Sequence, residues 1–420
     1  MGRVDDGKPR IGGAGPALVW HAFPLGLLGA DQSGRDRTCR RSLRELIDWL
    51  PHMAALGADT LLLGPIFASL SHGYDTVTHR DVDDRLGTLA DLDALVDAAA
   101  ARRIGVVLDG VFAYASRRFW RLADPAERDD PWFGHDDRGE LVAWRVDSLI
   151  TPDYGSAGYR SYVAEVMAWW LDRGIVGWRL DSSWSVPAPF WRTVLARVRE
   201  SHPTAWFLGQ VFDDDLPPVL HRTTLSSVTE YALMHGVREW LSGGPADRIV
   251  ATLRVHQKNC GRRPPHTFLG NHDVARLADA LPATVLPAAF CLLMTLPGIP
   301  AIYYGDELAT TSNWARGGSD AALRPSMTAA DPQQASHAAQ DLLASVRSLG
   351  ELRRRNPWLT SAALTDVRVQ HSVLTYTTTG GGRSLRVYLN PTAAPVTLDA
   401  SHANRVDVPA HGWVMRHAEG

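Results

Sequence analysis

Short apolar runs alternate along the chain with longer stretches in which apolar positions recur every three to four residues. The runs fall at 18–23, 60–66, 105–111, 176–181, 206–211, 227–231, 267–271 and 301–305. They lack the strict apolar–polar alternation of a half-buried strand, which predicts strands covered on both faces. The longer stretches, 43–56, 89–102, 159–173, 190–201, 246–257 and 340–355, carry the helical period. Strands interleaved with helices in this way predict an α/β chain closed into a (β/α)8 TIM barrel. The rival, a doubly wound open sheet, calls for a GxGxxG turn after the first strand, and the sequence has none there.

Past Asn356 the pattern changes. Segments 367–376, 384–388 and 406–408 read as β, a glycine run at 380–382 makes a turn between the first two, and no long helical pattern follows. Residues 117–154, after the third strand, are irregular and too long for an ordinary connection. The expected organisation is a barrel over 1–116 and 155–350, a small insert over 117–154, and a C-terminal antiparallel β-sandwich domain over 351–420.

Composition narrows the function. A formal net charge of -3 over 420 residues gives no basic surplus for nucleic acid. The arginines between 35 and 44 read as a solvated helix face. The longest apolar stretch, 283–302, is interrupted by three prolines and does not predict a membrane span. The polar, glycine-rich start has no apolar signal core, so a cytoplasmic protein is expected, or a secreted one if a signal peptide has been removed. Three widely spaced cysteines, Cys39, Cys260 and Cys291, make neither a disulfide framework nor a zinc pattern, and no metal site is expected.

In a barrel of this kind the site is built at the C-terminal ends of the strands. Those ends carry His72-Gly73-Tyr74-Asp75, Asp109-Gly110-Val111-Phe112, Gly177-Trp178-Arg179-Leu180-Asp181, Gly209-Gln210-Val211, Gly270-Asn271-His272-Asp273 and Tyr303-Tyr304-Gly305-Asp306-Glu307. Arg179 and Asp181 lie two apart on one strand, so both side chains point to the same face. A guanidinium beside a carboxylate favours its ionised form, which suits attack on a sugar carbon; a structural ion pair in the barrel core would read the same way. The polar ring made by all the strand ends weighs toward chemistry.

These motifs, in this order from about residue 18 to 325, resemble the α-amylase family of retaining glycoside hydrolases, on its neopullulanase and cyclomaltodextrinase side. The segments that carry the resemblance are 177–181, 268–273, 109–112, 72–75 with 83–87, and 297–300 with 303–307. The resemblance implies that Asp181 is the nucleophile, oriented by Arg179, and that Asp273 is a third carboxylate gripping the sugar. It implies that His272 hydrogen-bonds the reacting sugar, that Tyr74 stacks on it, and that Asp109 supports the others. Asp75, Tyr114 and Arg316 are counted with the substrate-binding residues, and Arg324 with the rim. The implied partner is an α-1,4- or α-1,6-linked gluco-oligosaccharide, hydrolysed or transferred through a glycosyl-aspartate intermediate, with no cofactor. On this resemblance the chain would be expected to lack the N-terminal β domain through which that group often dimerises, and oligomeric state stays open.

The chain departs from the family at two places. Ala113-Tyr114 stands where an Asn-His pair is usual; the asparagine is a calcium ligand in many members, so calcium is not expected at that position. Gln210 stands where the family has its glutamate general acid/base. An amide donates a hydrogen bond but cannot supply a proton to a leaving oxygen. Losing the acid costs on the order of 10²–10⁴-fold. Two readings follow: a Glu→Gln change that leaves a protein suited to trapping intact ligand, or a natural loss giving a pseudoenzyme that binds carbohydrate. Asp213, Asp214 and Asp215 read as a solvated loop more than as a substitute acid. Of the 15 tryptophans, Trp120, Trp132, Trp144 and Trp184 are placed near the mouth, where indoles can stack on sugars. The insert around the first three is the expected place for the leaving-group side.

Overall fold

The computed structural model describes residues 15–122, 132–312, 314, 318–399 and 405–419. Eight parallel strands run Val19–Ala22, Thr60–Leu63, Gly105–Gly110, Gly177–Leu180, Trp206–Gly209, Ser227–Val228, His266–Phe268 and Ile299–Tyr303. Seven ladders join them in order around the ring. The sixth and seventh strands close it through a parallel bridge between Thr229 and His266, with the Glu230 N–H donating to the His266 carbonyl at 3.1 Å. The barrel is therefore the one expected.

Side-chain alternation explains why these strands read as apolar throughout. Val19, Leu62, Val107, Leu208 and Phe268 form an inner cluster, whereas Trp20, Leu61, Leu63, Leu108 and Trp178 belong to the layer between sheet and helices. On a period of two, Asp109 shares the inward face with Val107, and Gln210 with Leu208. The apolar floor thus gives way to a polar rim as each strand climbs.

The helices follow the expected period with local corrections. Leu89–Ala100 starts at a capping box formed by Thr88 and Asp91. Segment 43–56 is divided into a 3-10 turn, Leu43–Trp49, and a helix, Leu50–Ala55, where Pro51 in the first turn restarts it. The sixth strand is shorter than read, because Tyr231 already opens a helix, Tyr231–Leu241, that the period analysis missed.

The insert contains a small antiparallel sheet of Ala115–Ser116, Ala143–Trp144 and Val146–Ile150. The C-terminal boundary drawn at 351 falls inside the helix His337–Arg355, and β structure begins at Ala363. A four-stranded antiparallel sheet then packs against a two-stranded one, with Val373, Tyr388, Leu398, Val406 and Val408 buried between them. The glycine turn is a two-residue hairpin in which Gly381 and Gly382 both take positive φ, at 58° and 74°.

Candidate active site

The C-terminal mouth of the barrel opens into a cleft of about 810 Å³, lined among others by Tyr74, Tyr114, Trp144, Asp181, Gln210 and Asp273. Asp181 directly follows the fourth strand, its N–H donating to the Gly110 carbonyl at 3.1 Å. Arg179 holds Oδ1 of Asp181 at 3.2 Å and is paired at the same nitrogen with Asp109. The Tyr114 hydroxyl donates to Oδ2 of Asp181 at 2.8 Å. The insert fixes Tyr114 by stacking it on Trp144, with ring centres 4.0 Å apart. Both oxygens of Asp181 are thus engaged and its carboxylate is oriented.

Gln210 stands beside this group because the fifth strand packs closely there. A Cβ at Gly209 would meet Leu225 at 2.5 Å and Ser183 Oγ at 2.7 Å. Ser182, immediately after Asp181, takes a left-handed φ of 47°, uncommon for a residue other than glycine. Its N–H donates to Gln210 Oε1 at 2.9 Å. A backbone N–H can only donate, so this contact fixes the amide: oxygen toward Ser182, nitrogen toward the cleft. That nitrogen lies 3.3 Å from the Tyr231 hydroxyl and 3.5 Å from Asp273 Oδ2.

Asp273 closes the set. His272 Nε2 is 3.2 Å from its Oδ1, and Arg324 Nη2 lies 3.7 Å from the same oxygen. Burial pushes the Asp273 carboxyl up to about 6, against the pull of Arg179 and Arg324; the 34% of the side chain still open to the cleft moderates the effect. Burial pushes Asp109 up as well, to about 7, against Arg179 and with the Asp181 charge adding to the rise. His272 is driven well below its ordinary value by burial and by the charge of Arg179, so the ring is neutral. It stacks on Tyr74 at 5.6 Å and bonds that hydroxyl, which also donates to Asp109 at 3.0 Å.

The comparisons with known proteins bear on this constellation. The family model described as "Alpha amylase, catalytic domain" matches residues 36–145 and 128–363, well over half of the chain. The chain belongs to the α-amylase family. It is similar to neopullulanase 2 of Thermoactinomyces vulgaris, at 29% identity over 308 residues, covering 67% of this chain and 52% of that protein. It is similar to a cyclomaltodextrinase of Geobacillus thermopakistaniensis, at 27% identity over 92% of this chain and 67% of that protein. The chain thus spans about half to two thirds of the length of these relatives. Among solved structures, the fold is shared with the cyclic α-maltosyl-(1→6)-maltose hydrolase from Arthrobacter globiformis. Its ligand-free form superposes with a TM-score of 0.84 at 23% identity, over 98% of this chain and 100% of that one.

Of the residues the sequence marked, Tyr74, Tyr114, Asp181, Gln210 and Asp273 meet at the cleft, with Arg179 and His272 directly behind them. Asp75 does not join them: its oxygens accept from Ser71 N at 3.0 Å and Ser71 Oγ at 2.6 Å, which ties the loop to itself. Arg316 lies outside the described residues. Asp213, Asp214 and Asp215 are exposed and do not line the cleft. Trp144 lines it, whereas Trp120 and Trp132 line a separate apolar hollow with Tyr162. Among the described residues no group of three or more His, Cys, Asp or Glu is placed to hold a metal, and no helix is long and apolar enough to cross a membrane.

Three contributors were not marked as site residues in the sequence. Tyr231 touches the Gln210 amide and accepts from Asn271 Nδ2 at 3.1 Å; its place at the end of the sixth run was the available signal. Arg324, read as a rim residue, lies 4.2 Å over the Phe23 ring and donates to the His272 carbonyl at 3.2 Å. Asp31 reaches the cleft on a loop held by the buried Arg85, which donates to the Asp31 carbonyl at 2.7 Å.

Proposed function

We propose that the cleft takes an α-linked gluco-oligosaccharide, and that Asp181 is the nucleophile of a retaining glycoside hydrolase or transglycosylase whose proton-donor position is disabled by Gln210. The carrying observation is the geometry at Gln210. Its amide is aimed by Ser182 N–H so that nitrogen faces the cleft beside Asp273. A glutamate there would keep the Ser182 contact through one oxygen and present the other to the glycosidic oxygen.

With glutamate, the carboxyl protonates the leaving oxygen while an Asp181 oxygen bonds the anomeric carbon. The resulting carboxylate then takes a proton from water, giving hydrolysis, or from a sugar hydroxyl, giving transfer. With glutamine the first proton is missing, and the leaving group departs as an unprotonated alkoxide. The chemistry calls for no cofactor. The similarity to proteins named neopullulanase and cyclomaltodextrinase supports this substrate class, and α-1,4- and α-1,6-linked oligosaccharides, linear or cyclic, are the substrates proposed.

The test pairs Gln210→Glu with the unaltered chain on maltotriose, panose, pullulan and a cyclodextrin. A gain of about 10²–10⁴-fold on any of them supports the reading. A second reading, a carbohydrate-binding pseudoenzyme, is favoured by Tyr114, which covers Asp181 Oδ2. It predicts sugar binding by calorimetry with both forms silent.

A further inference from the structure

Outside the cleft, at the seam between the sixth and seventh strands, four side chains form a directed relay. Cys260 follows the helix Ala246–Asn259, four residues beyond His256, so its sulfur returns over the imidazole. Cys260 Sγ lies 3.6 Å from His256 Nε2, and His256 Nδ1 lies 2.7 Å from Glu230 Oε2. The other Glu230 oxygen accepts from Asn259 Nδ2 at 2.7 Å, and Asn259 is fixed by the Asp214 carbonyl at 3.0 Å and the Leu216 N–H at 3.2 Å. Glu230, His256 and Asn259 are buried, whereas Cys260 is partly exposed.

Burial by itself would strip the His256 ring of its second proton. Its neighbours Cys260 and Glu230 outweigh that and hold the ring well above its ordinary value. Both ring nitrogens then carry hydrogen, one directed at the carboxylate and the other at sulfur. The buried Arg353 guanidinium adds a second positive charge within electrostatic reach of the sulfur, with Asp59 the opposing charge on Arg353. A cation and an N–H donor aimed at a sulfur stabilise the negative charge it carries when it attacks. Asn259 also caps the helix Leu216–Thr223 through the Leu216 N–H, but the contact of Cys260 with His256 serves neither that cap nor the cleft, and among the described residues no group of three or more His, Cys, Asp or Glu is placed to hold a metal.

We propose that Cys260 is a modification site, a nucleophilic thiol activated by His256, Glu230 and Asn259 that reacts with hydroperoxides. In the step, the thiol proton passes to His256 Nε2, the thiolate sulfur attacks the distal peroxide oxygen, the S–O bond forms and the O–O bond breaks. The departing oxygen takes the proton from His256 Nε2. Sulfur is oxidised to the sulfenic acid, and the hydroperoxide is reduced to the alcohol or water.

The other cysteines supply internal controls: Cys39 is exposed and Cys291 is buried. The full chain is treated with substoichiometric hydrogen peroxide near neutral pH, sulfenic acid is trapped with dimedone, and each cysteine peptide is quantified by mass spectrometry. Cys260 is expected to label about tenfold or more faster than Cys39, despite its lower exposure. Labelling of Cys260 at or below the Cys39 rate overturns the proposal. Glu230→Gln, which keeps the side-chain volume, is expected to bring the Cys260 rate toward that of Cys39. A fast rate unchanged in both Glu230→Gln and His256→Gln also overturns it, because the relay would then not be the cause. Should a variant fail to fold, the comparison among cysteines in the unaltered chain still decides.

Discussion

Tyr114 donates a 2.8 Å hydrogen bond to Oδ2 of Asp181, while Arg179 holds Oδ1 from the other side. The proposed nucleophile is therefore clamped by one group from the barrel and one from the mouth of the insert. Tyr114→Phe keeps the stack on Trp144 and removes only the hydroxyl. Hydrogen bonds to charged groups contribute about 1.5–3 kcal/mol, so in the Gln210→Glu background kcat/KM is expected to fall by about ten- to a hundred-fold. Steady-state kinetics on maltotriose check this, and an unchanged or higher kcat/KM would remove Tyr114 from the orienting role.

Trp144 carries both the Tyr114 stack and the Arg145 guanidinium, which lies 5.4 Å from its ring centre and 4.5 Å from that of Trp184. Trp144 and Arg145 line the cleft together with Asp181. Trp144→Ala in the unaltered chain is expected to weaken maltotriose binding by about 1–2 kcal/mol, roughly five- to thirty-fold in Kd, through lost aromatic packing and a looser Tyr114. Titration calorimetry measures it directly. Trp120→Ala serves as the control, since that side chain lies in the separate hollow and should leave Kd unchanged.

The contrast between these tryptophans marks how far the sequence could be read. Strand ends were legible because a barrel strand fixes which residues face inward, so Arg179 and Asp181 followed from period, and Asp109 and Gln210 from their places at strand ends together with the family resemblance. Residues arriving on loops were not. Asp75 follows Tyr74 in the text yet turns back onto Ser71, and Asp31 and Arg324, far apart in sequence, enter the cleft on loops after the first and eighth strands, which are neighbours in the ring. Trp120 and Trp144 belong to one insert, but the Ala143–Trp144 strand pairs toward the cleft side while Trp120 packs near Tyr162. No periodicity records such choices. The helix Tyr231–Leu241 escaped for a related reason, since the preceding strand has only two residues and its apolar run continues into the helix.

The loop after the second strand predicts a stability effect. Arg85 and Asp83 are both buried and meet at 2.7 Å, and Ser69 donates to the same carboxylate. Burial would raise the Asp83 pKa, but Arg85 and Ser69 prevail and hold it at about 2. A depressed carboxyl contributes stability that is present above its unfolded value near 3.8 and is lost as pH falls through about 2. Arg85→Met leaves the buried carboxylate with only the half-exposed Arg37, 3.1 Å away, as its cation, and is expected to cost about 3 kcal/mol at pH 7. Adding Asp83→Asn should recover much of that loss. Urea unfolding midpoints of the two variants decide it, and equal midpoints for the single and double variants would show that the pair is not coupled.

Asp273 has the opposite sign. Its carboxyl is raised from 3.8 to about 6, so the folded protein binds the proton more tightly than the unfolded chain does. Stability from this group is fully present below about 3.8 and is lost as pH rises toward 6. The ionised carboxylate proposed to grip a sugar is thus held at a cost to the fold, lessened by water at its open side. Asp273→Asn removes the charge and keeps the shape, and is expected to raise the melting temperature at pH 7.5 by about 2–4 °C. The gain should vanish at pH 4, where the carboxyl is protonated in the native state. In the same variant, sugar binding at pH 7.5 should fall, because a charged acceptor of sugar hydroxyls has been replaced by a neutral one. Scanning calorimetry at the two pH values tests the first part. A variant less stable at pH 7.5 than the parent would mean that the contacts of Asp273 with His272 and Arg324 outweigh its burial, and that the carboxylate is held as part of the fold's own ion-pair network.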